Sequence, residues 1–159
     1  MARRIYTFGY EGLTIERFIE RLQSARINLV VDVRATPLSR KRGFSKAAFE
    51  QALSAAGIAY VHAKAMGCPK AVRDRYKRDG SWSTYTASFL QYLSGQEAAL
   101  AEVANITQSK NSCLVCFEAD HRFCHRTYVA RAAARKTGSP ITHLTDQTEI
   151  VEPFGAVAA

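Results

Sequence analysis

The chain has 159 residues, 47% of them apolar and 23% charged, enough for one domain that buries roughly 68–70% of the surface its unfolded form exposes and too few for two. That composition excludes a disordered chain, a collagen-like repeat and a coiled coil, and the longest apolar runs, such as 29–31, end far short of the roughly 20 residues of a membrane span. The net charge is +8 and the surplus is local: residues 34–78 carry eleven cations against only Glu50 and Asp74, a clustering that attracts phosphates, nucleotides or nucleic acid. The first residues run from Arg3 and Arg4 straight into a strand-like stretch without an apolar leader. Cys68, Cys113, Cys116 and Cys124 are therefore expected as thiols in a reducing cytoplasm.

In chain order, the β-branched and aromatic residues 4–8 predict a first strand that closes on the loop Gly9-Tyr10-Glu11-Gly12. Behind Thr14, the helical spacing of Ile15, Phe18, Ile19 and Leu22 predicts a helix as far as Ala25. Residues 28–33 form the continuous apolar run of a strand buried on both faces, and a basic loop with Pro37 follows over 34–43. Ser45 is placed to cap a helix carrying Ala48, Phe49, Ala52, Leu53 and Ala56 that stops at Gly57. A third strand is predicted at 58–62. Residues 63–80, with Gly67, Pro69, Gly80 and dense charge, read as an irregular basic insertion. Helices follow at 83–93 and 96–107, a fourth strand at 112–117, an Ala/Arg-rich helix at 124–136 ended by Gly138, and a fifth strand at 141–144, while the tail 153–159 reads as frayed. Alternating strands and helices predict a single α/β domain over 1–159 with its core at about 4–144. Its architecture is Rossmann-like and three-layered, with about five mostly parallel strands joined by right-handed crossovers.

In such a sheet ligands bind outside the carboxyl ends of the strands. The four loops that open there carry Tyr10, Glu11, Asp32, Arg34, His62, Glu118, Cys124, His125 and Arg126. Cys116 and Arg122 satisfy the Cys-x5-Arg spacing of cysteine phosphatases, but their loop has no glycine and carries Glu118 and Asp120, which would repel a phosphate at short range. Cys113-x2-Cys116 suggests zinc, yet an offset of three within a strand puts the two sulfurs on opposite faces. No metal is expected, with a centre built from Cys116, Cys124 and a histidine kept as the minor alternative. Cys124-His125-Arg126 opens a predicted helix, where the helix dipole and cationic neighbours lower a thiol pKa and free N–H groups favour an anion. Asp32, at the exit of a buried strand, is placed to orient Arg34.

Thr7-Phe-Gly-Tyr-Glu-Gly, Val31-Asp-Val-Arg-Ala-Thr-Pro-Leu-Ser-Arg40, Gly43-Phe-Ser-Lys, Gly57-Ile-Ala-Tyr-Val-His62 and Cys116-Phe-Glu-Ala-Asp-His-Arg-Phe-Cys-His-Arg126 occur in that order. Together they closely resemble the DUF488 family, over about residues 4–144. The resemblance singles out Cys116, Glu118, Cys124, His125 and Arg126, and with them Asp32, Arg34 and Pro37, and it assigns no reaction. Relatives more often carry a proline and an acidic residue where this chain has His121 and Arg122, which counts against a role for Arg122.

The functional expectation is an enzyme or enzyme-derived sensor for an anionic, nucleotide-like small molecule. Arg34, Arg126 and Tyr10 would hold the anion, Cys124 would be the reactive thiol, and Glu118 or His125 would move protons. Asp32, Pro37 and Cys116 would support the site, and no cofactor and no membrane partner are expected. The alternative is a non-catalytic nucleic-acid-binding module using residues 34–78 with Tyr76, Trp82 and Tyr85 as stacking groups. A third reading makes the cysteines inert core of a partner-binding protein.

Overall fold

A computed structural model describes residues 2–153. The chain runs β1 (Ile5–Gly9), α1 (Ile15–Ser24), β2 (Leu29–Asp32), α2 (Lys46–Ala55), β3 (Ala59–His62), α3 (Lys70–Asp79), α4 (Trp82–Ser94), α5 (Glu97–Ser109), β4 (Ser112–Cys116), α6 (His125–Thr137), β5 (Ile141–Leu144) and β6 (Glu149–Val151), with 3₁₀ turns at Lys64–Met66 and His121–Phe123. Its sheet has the order β3-β2-β4-β1-β5-β6. The first five strands are parallel and β6 is antiparallel to β5.

Because successive strand residues face opposite ways, the sheet feeds two cores. Ile5, Leu29, Val31, Leu114 and Ile141 pack with α4, α5 and α6 on one side, while Phe8, Val30, Cys113, Val115 and Leu144 meet α1 and α2 on the other. The helix stripes match: Ile15, Phe18 and Leu22 are the buried residues of α1, which starts where the Thr14 hydroxyl accepts from the Arg17 N–H at 3.1 Å. Phe18 lies under a stack of rings, 4.4 Å from Phe8 and edge-on to Tyr10 and Phe44. No helix among the described residues is long and apolar enough to cross a membrane.

Four details depart from the sequence reading. Residues 63–80 are not irregular, since they contain the ten-residue helix α3. None of its residues is fully buried, and only Val72 and Tyr76 turn partly buried apolar side chains to the core, too short a stripe to stand out against the charge around it. Lys70–Asp74 and Arg75–Asp79 pairs one turn apart add to that contact, and Gly80, whose φ of 63° lies in the left-handed region, closes the helix. Strand β6 is exposed throughout and lacks the alternation that marks a strand. Ser45 makes no side-chain cap bond to α2, because its hydroxyl donates to the Ser39 carbonyl and accepts from the Ser39 N–H, closing the loop 39–45. Cys124 is the N-cap of α6 rather than a first-turn residue. Of the tail expected to fray, only Pro153 lies within the described residues.

The strand order fixes where the site must be. From β2 the chain continues to its outer neighbour β3, and from β4 it continues the other way, to β5. The carboxyl ends of these adjacent strands therefore open a crevice between two diverging connections.

Candidate functional site

A cavity of about 420 Å³ occupies that crevice, within the usual range for small-molecule sites. Its walls come from Tyr10 after β1, Arg34 to Thr36 with Leu38 and Ser39 after β2, Cys116 to Glu118 and Phe123 after β4, His125 at the start of α6, and Arg73, Tyr76, Lys77, Trp82 and Tyr85 of α3 and α4. Three cations, Arg34, Arg73 and Lys77, face one acid, Glu118. Trp82 is stacked on Tyr85 at 4.5 Å and stands edge-on to Tyr76 and Phe123, making one aromatic wall. Of the large apolar side chains exposed on the protein, Leu38, Phe117 and Phe123 all sit at this cavity. An exposed apolar cluster around a concave polar floor marks a binding site.

Arg34 is built into the site rather than displayed on it. Its guanidinium pairs with Asp32 through Nε to Oδ1 at 2.9 Å and Nη2 to Oδ2 at 2.8 Å, and Nη1 donates to the Phe44 carbonyl and the Tyr10 hydroxyl. Burial alone would make this guanidinium easier to deprotonate, but Asp32 more than offsets it and the charge is held firmly. The Tyr60 hydroxyl donates to Asp32 and the backbone of Pro37 accepts from the Lys46 N–H, so the loop after β2 is tied to β3 and α2. Tyr10 lies flat on Phe44, ring centroids 4.3 Å apart. His62, at the end of β3, donates from Nε2 to the Arg34 carbonyl, and Glu11 accepts from the Ala119 N–H.

At the cavity floor, β4 and the start of α6 bring together Cys116, Cys124 and His125, of which Cys116 and His125 line the cavity. One sulfur or ring nitrogen of each lies within 4.8 Å of the others, and all three residues are buried. The Nε2 of His125 contacts the Val33 carbonyl oxygen at 2.7 Å, which can only accept, so Nε2 carries the proton. Nδ1 then faces the sulfurs, 3.8 Å from Cys116 Sγ. Burial pushes the Cys124 thiol up, but the Cys116 hydrogen bond, Arg126 and His125 together outweigh it and leave Cys124 well below the ordinary thiol value. Its partner Cys116 is raised, first by that same hydrogen bond and then by burial. Burial, followed by the charge on Cys124, moves the Glu118 carboxyl up to about 7, and its Oε2 is buried without a hydrogen-bond partner among the described residues.

Two expected roles change. Arg126 does not line the cavity. It is fully buried, and its guanidinium donates to the Glu118 and Ala119 carbonyls and to the Thr7 hydroxyl, so it holds the loop after β4 and cannot hold an anion in the cavity. Gly9 permits this arrangement, because a Cβ there would lie 1.7 Å from the Glu118 carbonyl oxygen. Cys124 is likewise off the cavity wall, and Cys116 is the member of the pair that lines it. The Cys-x5-Arg spacing forms no phosphate cradle: Arg122 is exposed and grips Asp120 through Nε and Nη2. Cys113 and Cys116 do lie on opposite faces of the sheet.

Sequence reasoning did not place Arg73, Lys77, Phe117 and Phe123 at the site. The signal for the first two was the basic run itself, which becomes a cavity wall once α3 is recognised as a helix. Tyr76, Trp82 and Tyr85, expected as stacking groups for nucleic acid, pack on one another and line the cavity.

Compared with known proteins, the chain matches no curated protein and no solved structure. The model of one family, described as a domain of unknown function, DUF488, matches residues 14–133. That span takes in the loop after β2, the helices α3 and α4 and the Cys116–Cys124–His125 cluster, and the chain belongs to the DUF488 family.

Proposed function

We propose that the protein is an enzyme that binds an anionic, nucleotide-like small molecule in the cavity between the β2 and β4 loops and acts on it at the cysteine–histidine cluster. The observation that carries this reading is the pairing of three cations with a stacked aromatic wall and an exposed apolar rim around one cavity of about 420 Å³. Arg73 and Lys77, together with the unshared N–H of Arg34, meet the anionic group. Trp82, Tyr76 and Phe123 offer ring faces and edges to a planar moiety. Cys116, Glu118 and His125 reach the floor, with Cys124 directly behind them.

The test is a thermal-shift screen of the full chain against nucleotides, sugar phosphates and aromatic carboxylates. A ligand that binds only the native state stabilises it by about 2.7 kcal/mol at a hundred times its dissociation constant. Arg73→Ala combined with Lys77→Ala is expected to abolish the shift, whereas Cys124→Ser keeps the shift and loses turnover. A shift that survives the double substitution, or no shift from any anion, overturns the reading.

A further inference from the structure

The four cysteines are all free and buried, but they do not spend their sulfurs in the same way. The Cys113 thiol donates to the Leu114 carbonyl and the Cys68 thiol to the Pro69 carbonyl. Cys116 and Cys124 instead turn toward each other and toward His125. Although Cys124 is the N-cap of α6, its sulfur makes no cap hydrogen bond. His125 is oriented for the same point, since Nε2 is committed to the Val33 carbonyl and Nδ1 is presented to the sulfurs. A metal-bound histidine almost always gives its second ring N–H to a carbonyl or carboxylate in this manner.

Around a tetrahedral zinc ion, sulfurs at about 2.3 Å and an imidazole nitrogen at about 2.0 Å stand roughly 3.5–3.8 Å from one another. The Cys116 Sγ to His125 Nδ1 separation is 3.8 Å, and the full set lies within 4.8 Å. Beside Cys124 is the Glu118 carboxylate, whose Oε2 is the buried side-chain oxygen left without a hydrogen-bond partner among the described residues. Arg126, fully buried behind the cluster, forms no ion pair with a carboxylate among the described residues. Local negative charge from thiolates and from Glu118 would therefore have a cation to meet.

We propose that Cys116, Cys124 and His125 are the protein ligands of a zinc-type divalent cation, whose fourth coordination position faces the cavity beside Glu118. Two thiolates with one imidazole form a borderline-soft donor set that favours zinc over magnesium, calcium or manganese. Three protein ligands with a fourth position open to a ligand cavity is the plan of a catalytic rather than a structural zinc centre. The centre departs from the expectation of no metal. That expectation rested on Cys113, which is indeed on the far face, while the strand end and the helix start bring the other three residues together. The inference goes beyond the ligand reading: metal uptake without any anion-induced shift keeps the centre and discards the anion, and the converse result does the opposite.

The experiment uses the full chain without a histidine tag, reduced and stripped of metal with a chelator, then titrated with Zn(II) and with Co(II). The expected result is one metal per chain, with cobalt giving thiolate-to-metal charge-transfer absorption and the visible bands of a tetrahedral site. Cys124→Ser and His125→Gln lose the stoichiometric metal, and Cys113→Ala, on the opposite face, retains it. If the first two variants fail to fold, the cobalt spectrum of the parent chain decides. A folded, reduced parent that takes up no metal, or one whose cobalt spectrum lacks thiolate charge transfer, overturns the proposal, as does undiminished stoichiometry in folded Cys124→Ser.

Discussion

Asp32 and Arg34, two residues apart at the carboxyl end of β2, close on each other as a two-pronged ion pair with side chains only 0% and 6% exposed. Removing one partner of such a pair leaves a charge buried and unpaired, which costs about 3–5 kcal/mol. Asp32→Ala is therefore expected to lower the urea-unfolding free energy by about that much, and Asp32→Asn, which keeps an acceptor oxygen, by less. A loss below about 1 kcal/mol for the alanine variant, the range of exposed pairs, would show that water reaches Arg34 and that the pair does not organise the loop.

Gly9 should tolerate no side chain. A methyl group there meets the Glu118 carbonyl oxygen at 1.7 Å and Arg126 Nη1 at 2.9 Å, so in Gly9→Ala the loop after β4 must lift, taking Glu118 off the cavity floor. Overpacking of this kind costs roughly 1–3 kcal/mol, and the anion-induced thermal shift is expected to fall with it. Gly95→Ala is the comparison, because its nearest neighbour is the Tyr92 carbonyl oxygen at 3.4 Å. Similar melting temperatures for the two variants would contradict the close approach.

The stacked pair His121 and His143 should contribute less stability as the pH falls below about 6.5, in opposition to Glu118, whose raised carboxyl takes up a proton in the folded state over part of the same range. His121 stacks on His143 with ring centroids 3.9 Å apart. Burial, then the positive character of His143 and Arg126, brings His121 down to about 4, against the opposing pull of Asp120 and Glu152. His143 is also lowered, mainly by burial, between Glu152, Arg126 and Arg131. Unfolding releases both rings to protonate normally, so the unfolded state binds more protons between about 6.5 and 4 and gains on the folded state as acid is added. Glu152 acts in the same direction further down. Its folded pKa is depressed by His143 and Arg131, against the opposing effect of burial, and its contribution is lost on protonation. Urea midpoints of the parent chain and of His121→Gln across this pH range check the sign: the variant is expected to lose less stability on the acid side, and an equal or larger loss in the variant would contradict it.

Binding to polyanions should be weak. Counterion release gives a log–log salt slope of about −0.7 to −0.9 per phosphate neutralised. Several cations of residues 34–78 already have partners: Arg34 is buried on Asp32, Arg42 pairs with Glu16, Lys70 with Asp74 and Arg75 with Asp79. A slope shallower than about −3 is expected, lost largely on replacing Arg40, Lys41 and Arg42 by alanine while the small-anion shift remains. A steeper slope, or joint loss of both activities in the triple variant, would place nucleic acid first.

Elements whose signal is local were legible in the sequence. The strand at 141–144 and the helix behind Thr14 follow from apolar spacing and a capping hydroxyl, and the opposite facing of Cys113 and Cys116 follows from the two-residue period of a strand. Helix α3 and strand β6 were not legible, because neither buries a residue fully, and a segment that rests on two half-buried side chains, Val72 and Tyr76, or on a neighbouring strand leaves too short a hydrophobic period to read. The roles within the site divide in the same way. That Asp32, Arg34, Glu118, Cys124 and His125 belong to one edge followed from their places at the carboxyl ends of strands read as parallel, while the strand order itself came only with the structure. That Arg126 points inward onto the Glu118 carbonyl, that Cys116 rather than Cys124 reaches the cavity, and that Arg73 and Lys77 join its wall was decided only in the tertiary structure. Each of these depends on contacts between segments far apart in the chain, whose directions are set by packing and not by any residue's neighbours in sequence.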